Sequence, residues 1–235
     1  MNRFHCIATS VAGVALVFST ATHAESWFNF EAGIGGAAYQ SGPDGLWLQQ
    51  GFEHKLNLSA PAIEAGFTGN ILQRPSWGLD WHLDYVWLAT IHTQGKAVPD
   101  ANYNLQTKTC NGPCLPFANF TGSGHDQGFM LTLEPHYDYR GFRFGVEAWP
   151  YLHRSTWSAD ATNQVDFFGQ TPRSTHFEHD PKWQLGAVVG ASVGYKNFAL
   201  KYQYLLNRRS SSDPTPQIWN GVHVLMLSVN TNGLL

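Results

Sequence analysis

Charge is scarce in this chain. Asp, Glu, Lys and Arg make up 13% of its 235 residues, against 14% aromatic residues, 23 Gly and 9 Trp. That is poor in charge for a protein surrounded by water. A basic excess is also missing: removing Arg3 with the N-terminal segment described below leaves 13 of the 14 Lys and Arg against 17 Asp and Glu, a net charge of −4. A nucleic-acid binder would carry a basic face, so no nucleic-acid partner is expected. Cysteine is nearly absent, with Cys6, Cys110 and Cys114. Long apolar runs are absent as well. The one uncharged apolar stretch, residues 7–18, is roughly half the ~20 residues that a spanning helix needs.

That stretch has another explanation. Arg3 precedes it, and Thr22 and Ala24 flank His23 just before Glu25, the small-large-small pattern of a signal-peptidase site. Residues 1–24 are expected to be a signal peptide, and 25–235 one domain with no internal repeat. Cys6 leaves with the signal segment. Cys110 and Cys114, in Cys-Asn-Gly-Pro-Cys, then predict a small disulfide ring in an exported protein; a metal pair is the lesser reading, because no further ligands stand at zinc spacing.

What the chain does have is alternation. Leu79, Trp81, Leu83, Tyr85, Trp87, Ala89 and Ile91 share one parity, while Asp80, His82, Asp84 and Thr90 share the other with Val86 and Leu88. A two-residue period is a strand. Phe129, Leu131, Leu133, Tyr137 and Tyr139 repeat the split against Thr132, Glu134, His136, Asp138 and Arg140. Eight strands follow, near 26–39, 56–70, 79–93, 126–139, 142–156, 182–195, 198–208 and 219–231. Their connections alternate: tight at Tyr139-Arg140-Gly141-Phe142, Gln73-Arg74-Pro75-Ser76 and Tyr195-Lys196-Asn197-Phe198, long at 40–55, 94–125, 157–181 and 209–218.

A sheet with one apolar face and one ionic face, an even strand number and this loop asymmetry predicts an all-β fold: an eight-stranded antiparallel transmembrane β-barrel with short periplasmic turns and long extracellular loops. Phe28, Phe30, Trp81, Tyr137, Tyr139, Phe142, Phe144, Tyr195 and Phe198 fall near the turn ends, as an aromatic girdle does. A soluble lipocalin-like barrel would alternate too, with its apolar residues inward, and leaves that girdle unexplained.

On these features the chain resembles the small outer-membrane barrels of the OmpA, OmpX and OmpW group. The resemblance is architectural and covers residues 25–235. It implies a cell outer membrane of Gram-negative type, contact with outer-membrane lipid and lipopolysaccharide, a monomer and no cofactor. The ending Asn-Thr-Asn-Gly-Leu-Leu departs from the terminal aromatic of such barrels. In the last strand Leu225, Leu227 and Val229 keep the outward parity, while Val222, Val224 and Met226 offer the opposite register.

The pleat gives an inward set: Glu31, Glu64, Asp80, His82, Asp84, Glu134, His136, Asp138, Arg140, Arg143, Glu147, Gln184, Lys201 and Gln203. An eight-stranded barrel is only wide enough for its own side chains, so this set is expected to be an ionic plug. The expected role is structural or surface-exposed, without enzymatic activity. One alternative is a narrow channel, or a lateral conduit for small hydrophobic molecules at a seam weakened by Pro135 and Pro150, with Pro61 a third proline inside a strand. The palmitoyltransferase and OmpW-like barrels carry similar gaps. Another alternative is a lipid A-modifying hydrolase: His153 and Ser155 form a His-x-Ser pair that resembles the lipid A deacylase barrels, with serine as nucleophile and histidine as base. Asp160, Asp166 and Glu178 are the nearby acids. Outside partners would meet the loops 94–125 and 157–181, where His176, His179 and Asp180 form a minor metal candidate.

Overall fold

The computed structural model describes residues 28–41, 54–97, 103–104, 107, 109–110, 118–163, 174–178, 182–207 and 219–231. Among the described residues the structure is all-β, with no helix. Its strands are β1 (Asn29–Ser41), β2 (His54–Asn57), β3 (Ser59–Gln73), β4 (Trp77–Ala97), β5 (Tyr103–Asn104), β6 (Thr109–Cys110), β7 (Ala118–Tyr139), β8 (Phe142–Asn163), β9 (Ser174–Glu178), β10 (Gln184–Tyr195), β11 (Phe198–Leu206) and β12 (Trp219–Asn230). Strands β10, β11, β12, β1, β3, β4, β7 and β8 pair in that order, and β8 pairs back to β10. The antiparallel sheet therefore closes in a ring. β2 adds to β4 and β9 to the far part of β8, while β5 and β6 pair only with each other.

The tight turns set the register. Arg140 and Gly141 both take positive φ, 52° and 82°, the left-handed pair that a two-residue hairpin needs to match strand twist. This corrects the expectation for Arg140. The turn lifts it out of the ladder after Tyr139, so it is exposed and lies over the Tyr139 ring at 5.1 Å rather than inside. In the turn between β10 and β11, Lys196 takes positive φ, 56°, and Asn197 does not.

Three strands are longer than their composition suggested. β4, β7 and β8 run for 21, 22 and 22 residues. Their far parts, such as Ala-Asn-Phe-Thr-Gly-Ser-Gly-His at 118–125, carry few apolar residues and read as loop. Pairing of Thr121 with Gln94 on one side and Asp160 on the other supplies the structure that local propensity lacks.

Alternation puts large apolar side chains on the outside and fills the inside in two layers. Nearest the tight turns the interior is ionic. Beyond it lie Ala62, Val86, Leu88, Met130, Val188, Leu205, Val222, Val224 and Met226, all at most 1% exposed, with Tyr39, Tyr151 and Trp219 above. This settles the register of β12: Leu225, Leu227 and Val229 face out and Val222, Val224 and Met226 face in. Both faces of that strand are apolar because its inward side meets the apolar layer, which is why its sequence allowed either register.

Candidate functional site

The ionic layer is assembled by register. Glu31 in β1, Gly66 in β3 and Asp84 in β4 stand side by side across three strands. The middle position has no room for a side chain: a Cβ at Gly66 would lie 2.3 Å from Asp84 Oδ1. Gly145 does the same for Glu134, whose Oε1 would lie 2.3 Å from a Cβ there. Large ionic groups thus fit a narrow interior because their neighbours are glycine.

Lys201 is the hub. Its Nζ donates to Glu31 Oε2 and to Glu64 Oε1, both at 3.0 Å, and Gln203 Nε2 donates to Glu64 Oε2 at 3.3 Å. The other oxygen of Glu31 sits 2.6 Å from His82 Nδ1, and His82 Nε2 lies 3.6 Å from Glu134 Oε2. Glu147 accepts from Thr132 Oγ1 at 3.3 Å. Nearer the turns, Arg143 bridges Asp80 Oδ2 at 2.9 Å and Asp138 Oδ1 at 3.1 Å, and Asn70 Nδ2 donates to Asp80 Oδ1 at 2.7 Å. His136 Nδ1 is 3.3 Å from Asp80 Oδ2. Glu31, Glu64, Asp80, His82, Asp84, Glu134, His136, Glu147 and Lys201 are all buried, and Asp138 and Arg143 are partly exposed. A cavity of about 280 Å³ reaches this layer from the tight-turn end, between Glu31, His82, Asp138, Arg143, Lys196 and Asn197.

A second polar cluster lies at the far side of the apolar layer, and its centre is a residue the sequence reading passed over. Asp126 is wholly buried. It accepts from Asn207 Nδ2 at 2.7 Å, from Ser155 Oγ at 3.2 Å and from the Tyr151 hydroxyl at 3.5 Å, and it lies 3.3 Å from His153 Nδ1. Its backbone N–H donates to the Tyr39 hydroxyl at 3.2 Å. The signal for Asp126 was present: counting back along both strands from the Tyr139–Phe142 pair places it opposite Ser155. Of the loop acids, Asp160 instead sits 2.7 Å from the exposed His176, Glu178 pairs with Ser158 in the sheet, and Asp166 lies outside the described residues.

The cluster brings His153, Ser155 and an acid together, but not in the order of a nucleophilic relay. Such a relay needs the serine on one ring nitrogen and the acid on the other. Here Ser155 Oγ, at 3.3 Å, and Asp126 both meet Nδ1, while Nε2 is buried without a hydrogen bond and faces Gly186. His153 is 1% exposed and Ser155 is partly exposed. Cys110 lies in β6, opposite Tyr103; Cys114, His179 and Asp180 lie outside the described residues.

The wall itself has a weak line. β7 and β8 pair at Met130–Tyr151, Leu133–Ala148 and His136–Gly145, with no pairing between these points. The gaps contain Pro135 and Pro150, which have no N–H to donate. Trp149 stands opposite the fully buried Val188 yet is 52% exposed. On the outer surface a groove of about 520 Å³ runs beside Pro135, between Trp77, Tyr137, Phe144 and Val146. Pro61 pairs with Gly36, and the β3–β4 ladder begins one residue later, at Ala62.

No protein-family model matches the chain, and a comparison with curated proteins finds no match either.

Proposed function

We propose that this chain is an eight-stranded outer-membrane β-barrel whose interior is closed to solutes, with a structural or surface-exposed role in a Gram-negative envelope. The observation that carries this reading is the inverted distribution of polarity. Ile34, Ile63, Phe67, Leu83, Leu131, Val146, Leu185, Leu200 and Leu227, one or more from each strand of the ring, are 43–69% exposed, while Glu31, Glu64, Asp80, Asp84, Glu134, Glu147, His82 and Lys201 are buried. Apolar surface on every side of a molecule is a cost in water and a gain in lipid. The dimensions agree: twelve residues of β10, at about 3.3 Å per residue and a tilt near 40°, rise roughly 30 Å. At one end of that rise Phe28, Tyr137, Tyr139, Phe142, Tyr195 and Phe198 are exposed together, and Phe142 and Tyr195 pack at 5.0 Å. Those aromatics suit the periplasmic interface, so the long loops would meet lipopolysaccharide and any outside partner.

The apolar layer supports closure, since Ala62, Val86, Leu88, Met130, Val188, Leu205, Val222, Val224 and Met226 are all at most 1% exposed. The purified protein in planar bilayers is expected to give no steady conductance between neutral and mildly acidic pH. Stepwise single-channel currents would overturn the closed reading in favour of a channel. The interruption of the β7–β8 ladder at Pro135 and Pro150 favours a second reading, lateral passage of small hydrophobic molecules between wall and membrane. Uptake of such a molecule into proteoliposomes, lost when a Phe129→Cys and Leu152→Cys pair is cross-linked across the seam, tests it.

A further inference from the structure

We propose that Glu31, His82 and Asp84 form a binding site for one divalent transition-metal ion, of which zinc is the best-fitting example. One donor atom from each of the three lies within 4.8 Å of those of the other two, and all three residues are buried, at 3%, 6% and 1% exposure. Two carboxylates and an imidazole are ligands that zinc accepts at about 2.0–2.2 Å, with a fourth position left for water.

Two further observations point to an ion. Asp84 Oδ1 is buried without a hydrogen-bond partner. A buried carboxylate oxygen without a donor is costly. Asp84 cannot turn to the wall for help, because it is held beside Gly66 in the row that ends at Glu31. The charge count also falls short of balance. Glu31, Glu64 and Asp84 face one ammonium, Lys201, and with His82 neutral two negative charges have no counter-charge; Glu147, held by Thr132, adds to the excess. A divalent ion supplies the missing charge.

Lys201 does not occupy the same place. It binds Glu31 through Oε2, whereas His82 meets Oε1, so ammonium and metal ion would use opposite oxygens of one carboxylate. The ion replaces the 2.6 Å His82–Glu31 contact: the two side chains part to bind it at metal–ligand distances, and the imidazole, still neutral, carries its one proton on Nε2, which has no hydrogen-bond partner of its own. Entry is provided by the cavity at the tight-turn end, which is lined by both Glu31 and His82. The site does not depend on where the protein resides.

The test is titration of the full chain, folded in detergent micelles, with Zn²⁺ alone in competition with a chromogenic chelator. Wild type is expected to hold one Zn²⁺ per chain. Asp84→Asn and His82→Ala should each weaken binding by at least the roughly tenfold that loss of even an outer-shell partner costs, and His176→Ala, on the exposed far end, should leave it unchanged. Absence of stoichiometric binding in wild type, or loss in His176→Ala with retention in Asp84→Asn, overturns the proposal. Should the interior variants fail to fold, X-ray absorption of the wild-type zinc complex decides: one imidazole with oxygen ligands supports the site, and two or more imidazoles overturn it.

Discussion

At the scale of single residues, the structure depends on pairing of groups that are buried without water. Lys201 carries a large share, since it places a fixed positive charge between Glu31 and Glu64. Removing one partner of a buried ion pair is far more costly than replacing the whole set, because it leaves the other charge uncompensated. Lys201→Met is therefore expected to lower stability by about 3–5 kcal/mol, and adding Glu31→Gln and Glu64→Gln to recover most of it. Urea unfolding followed by tryptophan fluorescence measures both; a single variant as stable as wild type would mean that Lys201 does not compensate these carboxylates. Asp126 holds the second cluster in the same way. Asp126→Ala strips acceptors from Asn207, Ser155 and Tyr151 at once, and a loss of about 3 kcal/mol is expected by the same measurement, with Ser155→Ala costing only about 1 kcal/mol because Asp126 keeps its other donors.

Among the elements, β7 and β8 stand apart. They are the longest strands, yet their shared ladder is interrupted where Pro135 and Pro150 fall, and missing ladder bonds lower the cost of local opening. Amide exchange in residues 130–136 and 145–151 is expected to be faster than in the uninterrupted Ala62–Asn70 and Asp80–Leu88 ladder. Equal protection in both places would remove the seam and the conduit reading with it. The inner ends of these strands were legible from the sequence, because Arg140 and Gly141 form a turn that two-residue chemistry announces. Their outer ends were not. Residues 118–125 are polar and glycine-rich, and nothing local distinguishes them from a loop until a partner strand is beside them.

For the whole molecule, the central question is which solvent meets the outer face. Leu131 and Leu227 are about half exposed, at 47% and 53%. If lipid surrounds them, Leu131→Arg or Leu227→Arg destabilises the protein by about 2–4 kcal/mol in vesicles, less toward the interfaces. A change within about 0.5 kcal/mol, as for ordinary surface substitutions, would place that face in water and sink the membrane reading. The sequence by itself determined the faces. A two-residue period of apolar against ionic residues, closed by tight turns, leaves the pleat little freedom, and from it the inward carboxylates, His82, His136 and Lys201 could be named. It could not determine which inward residues meet, because that depends on the stagger of strands far apart in the chain: Lys201 reaches Glu31 across 170 residues. Only the tertiary structure decided that Arg140 leaves the interior at a turn, that Asp126 rather than a loop acid joins His153 and Ser155, and that the interior divides into an ionic and an apolar layer. Sequence fixes to which side of a strand a residue points, through local geometry; closing the ring fixes its level and its neighbours, and chemistry depends on neighbours.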